Sequence, residues 1–140
     1  MNSKKMIRKS LVIFYNDKNV LMQDRRNIPK LGKPYGFFGG SIEEGESPEQ
    51  AIIREVEEEL SIKLKDFKFF KKFVENNDLI NGEWYLFEAK MPNLDEIDVK
   101  EGVPVLISFK ESLELDISDR DKNMLKLFFD YVKVFENHAI

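Results

Sequence analysis

The chain has no cysteine, and only one histidine and one tryptophan among its 140 residues. Without cysteine there can be no disulfide, no thiolate nucleophile and no cysteine-held zinc, which suits a reducing compartment. Proline is sparse, with none between Pro48 and Pro92. No apolar run approaches the ~18 residues of a membrane span, and the N-terminus lacks an apolar signal core. A dominant charge sign is missing too: 22 basic and 26 acidic residues leave −4, both signs spread along the chain. A nucleic-acid polymer binder would show a clustered basic surface, so that class is excluded. These absences predict one cytoplasmic domain over residues 1–140, able to bury roughly two thirds of its unfolded surface.

What the chain does have is concentrated in residues 39–62, GGSIEEGESPEQAIIREVEEELSI. Ser47-Pro48-Glu49-Gln50 is a helix start: Ser as N-cap, Pro at the first turn, Gln at the capping-box position. With Glu55 at zero and ~100° per residue, Ile52, Val56, Leu60 and Ile53 fall between roughly 60° and 160°. That is the predicted core stripe. Glu55, Glu58 and Glu59 fall between about −60° and +40°, on one adjoining face. Like charges three and four residues apart repel, and a bound cation, a shared proton or a basic partner offsets that cost. Oxygen donors with no Cys or His beside them favour a hard ion, Mg²⁺ or Mn²⁺.

This run resembles the Nudix hydrolase family, the MutT-type pyrophosphohydrolases. The family pattern is Gly, five residues, Glu, seven residues, then Arg-Glu-aliphatic-any-Glu-Glu-any-Gly-aliphatic. Gly40, Glu46, Arg54, Glu55, Val56, Glu58, Glu59 and Ile62 stand at its positions, and Ser61 replaces the Gly that caps the helix. The resemblance implies that Glu55, Glu58 and Glu59, with Gly40, hold Mg²⁺ or Mn²⁺, or that one glutamate instead orients or deprotonates water. It implies that Arg54 pins a box glutamate, that Glu46 clamps loop to helix, and that Val56 and Ile62 are structural. Gly39 and Gly40 would let backbone N–H groups approach phosphate. Lys100-Glu101-Gly102 resembles a downstream loop that supplies a further catalytic carboxylate, which makes Glu101 a candidate ligand or general base.

The rest of the chain reads as strands at 11–15, 20–22, 35–38, 64–74, 83–90 and 103–109, plus a final helix capped by Ser118. The strands at 64–74 and 83–90 are expected to turn across residues 76–78 and 81–82. The fold class is α/β; the resemblance implies a Nudix-like α/β/α sandwich on a mixed sheet. Arg25 and Arg26 lie in a polar loop able to face phosphates, and Phe38, with Phe37, Trp84, Tyr85 and Phe87, could offer a stacking surface to a base. Asp119 and Arg120 begin the final helix where MutT-type proteins read the base edge, and His138 is an inert tail residue. The expected partner is a small-molecule nucleotide, with no membrane and no nucleic-acid polymer, and the chain a monomer or homodimer. The expected reaction is metal-dependent hydrolysis of a diphosphate linkage, foremost in an ordinary or oxidised nucleoside triphosphate. A nucleotide-sugar or ADP-ribose-type pyrophosphatase and a non-catalytic nucleotide sensor are the alternatives; a diphosphate-lipid isomerase would normally use a cysteine.

Overall fold

The apolar run Leu11–Tyr15 lies inside an eleven-residue strand, β1 (Lys5–Tyr15), whose side chains alternate between two cores. Leu11 and Ile13 enter one core, Val12 and Phe14 the other. Burial on both faces is why the run is continuous rather than alternating. The computed structural model describes residues 4–28 and 32–138, with side chains described as far as Lys133. Pro29, expected in the polar loop, and the side chains of Phe135 and His138 fall outside them.

The other strands are β2 (Asn19–Asp24), β3 (Tyr35–Gly36), β4 (Phe38–Ser41), β5 (Phe67–Asn76), β6 (Ile80–Lys90) and β7 (Val103–Ser108). They form one sheet in the order β3-β2-β1-β6-β5, with β4 also pairing β1 and β7 pairing β2. The β1–β6 pair is parallel, from Lys5↔Ile80 to Tyr15↔Lys90, and the rest are antiparallel, so the sheet is mixed. Helix α1 (Pro48–Leu60) covers one face through Ile52, Val56 and Leu60. Helix α3 (Asp119–His138) covers the other through Met124, Leu125 and Phe128. Between β7 and α3 lies a one-turn helix, α2 (Phe109–Ser112). The result is the expected α/β/α sandwich. Among the described residues, no helix is long and apolar enough to cross a membrane.

Several boundaries differ from expectation. The β5–β6 turn is residues 77–79, where Asn77 Oδ1 accepts from the N–H groups of Leu79 and Ile80 at 2.8 and 2.9 Å. Asn81 and Gly82 belong to β6, where Gly82 leaves room for the Trp84 ring. Gly39 and Gly40 sit within strand β4 rather than in a loop. Ile53 is not a core residue; it faces the outer surface with Gln50 and Glu57. The buried arc of α1 instead runs from Ala51 through Glu59 and Ile52 to Leu60, about 180° wide and centred near Glu59.

Helix α1 starts as expected. Ser47 Oγ accepts from Gln50 N at 3.1 Å, and Gln50 Oε1 accepts from Ser47 N at 2.8 Å, a complete capping box. It ends on Ser61 at φ 60°, ψ 31°, the left-handed conformation that favours glycine. Ser61→Gly is expected to stabilise the protein by less than about 1 kcal/mol, since relief of the left-handed strain outweighs one exposed hydrogen bond. That bond is Ser61 Oγ donating to Asp98 O at 3.1 Å. A lowered urea midpoint for the variant would contradict this.

Candidate active site

Helix α1 lies against β4, and β4 against the middle of β1 at Leu11↔Gly39 and Ser10↔Gly40. This stacking places two box glutamates on a bare glycine strand. Glu59, 7% exposed, accepts from Gly39 N–H at 2.8 Å through Oε1. The Glu55 carboxylate lies so close over Gly40 that a Cβ there would stand 2.5 Å from its Cδ. Glycine at position 40 makes the cradle.

Arg54 organises the outer side. Its Nε and Nη2 donate to both oxygens of Glu46 at 2.7 and 3.0 Å, its Nη1 to Glu55 Oε1 at 2.9 Å and to Glu58 Oε2 at 3.3 Å. Nη2 also reaches Ser41 O at 2.9 Å, tying helix to strand. The bidentate Arg54 contact drives the Glu46 pKa down to about 2. Glu43 stands 3.7 Å from the same guanidinium on an exposed loop. Arg54, Glu46, Glu55 and Glu58 are thus brought together as the resemblance implies, while Val56 and Ile62 pack in the α1-side core.

Glu59 is the electrostatic outlier. Burial pushes its pKa up to about 7, with Glu55 and Glu101 adding repulsion while the Gly39 N–H and Arg25 pull it down. Burial also raises Glu55, against the opposing pull of Arg54. Glu101 is therefore within electrostatic reach of Glu59. Its loop is held by Lys100 N donating to Glu59 O at 2.9 Å and by Gly102, at φ 72°, pressed on Asp24 O.

In the native state Glu59 holds its proton to about pH 7, whereas the unfolded chain releases it near 4.5. Between those values the folded form binds more protons, so stability falls as pH rises through that window. Raised carboxyls at Glu55, Glu88 and Asp121 act with the same sign. In EDTA, the melting temperature is expected to be lower at pH 8 than at pH 5.5, and Glu59→Gln to flatten that slope. Equal slopes for wild type and variant would refute the assignment to Glu59.

A residue not singled out by the sequence analysis joins the site. Gln23, buried at the end of β2, donates to Glu101 O at 3.0 Å and Glu59 Oε2 at 3.5 Å, and accepts from Arg25 Nε at 2.9 Å. A polar residue closing an apolar strand was the only available signal. Arg25 also donates to Phe37 O at 2.8 Å, so its guanidinium is turned inward. Arg26 differs from Arg25: it is exposed and bound to Asp24 at 2.7 Å. Phe38 is a correction. It is wholly buried under α1 and presents no surface to a ligand, because strand alternation turns it to the core opposite Phe37.

The donor set of Glu55, Glu58 and Glu59 with the Gly40 backbone is all oxygen, and the Gly40 cradle brings one carboxylate against that backbone. Both features fit a hard divalent ion. Among the described residues no three acidic or imidazole groups stand ready-made around one point, because Arg54 draws Glu55 and Glu58 outward and the Gly39 N–H holds Glu59.

A mixed-sheet sandwich carrying a glutamate helix on a glycine strand defines the class: an α/β protein with carboxylates gathered against a glycine-bearing strand. The NUDIX domain model matches residues 6–128, and the chain belongs to that family. Its relatives include the 8-oxo-dGTP diphosphatase of Escherichia coli, 39% identical over 61 residues, 43% of this chain and 47% of that protein. The NAD-capped RNA hydrolase NudC of Mannheimia succiniciproducens is 43% identical over 63 residues, 43% of this chain and 24% of that one. The matched segments thus span about half or less of these relatives. Among solved structures, the MutT protein of Methanosarcina mazei aligns with TM-score 0.78 at 16% identity over 95% of this chain and 99% of that one. The Escherichia coli ORF135 protein gives 0.73 at 22% identity over 91% of both chains. These two likenesses show the fold.

Proposed function

We propose that the protein hydrolyses the diphosphate linkage of a nucleoside diphosphate derivative, as a MutT-like pyrophosphohydrolase of ordinary or oxidised nucleoside triphosphates in the cytoplasm. The observation that carries this reading is the pair of partly or fully buried carboxylates, Glu55 and Glu59, held on the Gly39–Gly40 strand and backed by Arg54. The 8-oxo-dGTP diphosphatase relative supports the choice of triphosphate.

Glu55, Glu58 and Glu59 with Gly40 would hold Mg²⁺ or Mn²⁺, which would supply charge neutralisation for phosphate oxygens and acidify water. Arg54 and Glu46 fix the helix against the loop, so the glutamates keep their spacing whichever substrate enters. The proton of the attacking water passes to a glutamate of the site. Glu101 is suited to this, because its carboxylate has no hydrogen-bond or ion-pair partner among the described residues and it stands near Glu59. Gln23 holds its loop in place. The products would be a nucleoside monophosphate and pyrophosphate.

A phosphate-release screen over nucleoside triphosphates, nucleotide sugars and dinucleotides with added Mg²⁺ tests this. Triphosphates are expected to be cleaved, activity to vanish in EDTA, and Mg²⁺ or Mn²⁺ to restore it. Cleavage undiminished by EDTA would overturn the metal role; preference for nucleotide sugars would overturn the substrate.

A further inference from the structure

Among the described residues, strands β5 and β7 each pair along one side only, with β6 and with β2. The two edges differ in kind. Lys68, Lys71 and Lys72 stand along β5, and a bulge between Phe69 and Lys71 interrupts it. Lysines and bulges keep an edge from pairing with another strand. Strand β7, Val103-Pro104-Val105-Leu106-Ile107-Ser108, carries no charged side chain. Its register with β2 is unbroken from Asn19↔Ser108 to Asp24↔Val103, and Val103 and Leu106 are each 47% exposed.

The pairing of β2 fixes which backbone groups of β7 are free. Asn19 O accepts from Asn16 N–H, and Arg25 N–H donates to Pro34 O. Odd-numbered residues of β2 thus turn their backbone groups towards β1 and β3, and Val20, Met22 and Asp24 turn theirs towards β7. Their partners are Ile107, Val105 and Val103. Pro104, Leu106 and Ser108 are left facing away from β2. Pro104 has no N–H to leave unpaired there.

A second copy laid antiparallel along this edge, Leu106 opposite its own equivalent, satisfies those groups in both directions. Leu106 N–H donates to the partner's Leu106 O, and Ser108 N–H to the partner's Pro104 O. Val105 then stands opposite the partner's Ile107, and no like charges meet within the strand. Beyond its ends, Lys110-Glu111 of one copy runs towards Lys100-Glu101 of the other, with both charge signs on each side. The same operation about the middle of β5 would set Lys71 against the partner's Lys72. We propose that β7 is a homodimer edge, joining two copies of this chain into one continuous sheet through Leu106. The contact would also brace the loop of Glu101, which enters β7 through Gly102 at φ 72°.

The chain has no cysteine, so one introduced at the edge reports the contact without background. Cα atoms of a hydrogen-bonded antiparallel pair stand about 5.5 Å apart, within disulfide reach. Leu106→Cys is expected to oxidise to a covalent dimer. Val74→Cys, at a position 63% exposed on β5, measures random collision and should cross-link far less. In the unmodified protein, sedimentation should show twice the monomer mass on concentration. Deuterium exchange of Leu106 N–H should then slow about tenfold relative to dilute solution, as for an edge bond closed about nine-tenths of the time. Leu106→Lys, with its fold checked by circular dichroism, should remain monomeric. Equal cross-linking of the two cysteines, Leu106 exchange indifferent to concentration, or monomer mass throughout would overturn the edge. So would a dimer that survives Leu106→Lys but is lost in Val74→Lys, since its contact would lie on β5.

Discussion

Glu58→Gln is expected to lower kcat by roughly 10²-fold or more, because it removes one unit of ligand charge where phosphate charge must be neutralised. The fold should not notice. The Glu58 side chain is 59% exposed, and its contact with Arg54 is a partly solvated i,i+4 pair at 3.3 Å. Such pairs contribute about 0.5 kcal/mol. The decisive comparison is turnover in saturating Mg²⁺ beside a melting curve of the same preparation. Turnover near wild type would remove Glu58 from the ion site, and a collapsed melting temperature would show that its role is structural. Glu59 makes a poorer test, since its carboxylate also satisfies the buried Gly39 N–H.

Gly39→Ala is the second large effect, and it acts on stability. Gly39 has φ 138°, and a Cβ there would run into Ser10 O and Leu11 Cα of the neighbouring strand. Neither backbone atom can move without opening the β1–β4 pairing. A cost of roughly 3–5 kcal/mol is expected, combining backbone strain with overpacking. Gly40→Ala, one residue on, is expected to behave differently. Its Cβ would meet the Glu55 carboxylate, the movable end of a long side chain. That variant should fold with a near-normal denaturation midpoint and lose activity. An unchanged midpoint for Gly39→Ala would contradict the packing of α1 and β4 on β1.

The contrast between the two glycines shows what could be read in advance. Local signals proved reliable where the interaction itself is local: the Ser47–Gln50 capping box, the left-handed Ser61, the Arg54 contacts to Glu55 and Glu58 four residues or fewer away. The phase of α1 was less so. Periodicity gave the apolar residues their common face, but contact with β4 rotates the buried arc onto Glu59 and leaves Ile53 outside. Phe37 and Phe38 looked equivalent in sequence, yet a strand sends one to each core.

The sequence by itself determined the family and the sandwich class, and it put Glu55, Glu58 and Glu59 on one side of a helix, because fixed spacing on a single helix dictates which side chains share a face. Only the tertiary structure decided that Gln23 bridges Glu59 to the Glu101 loop and that Lys9, Arg25 and Asp121 share one cavity. Those groups come from strands, loops and a helix far apart in the chain. They meet through the pairing of β1 with its neighbours and the packing of α3 on the sheet, which no short-range pattern encodes.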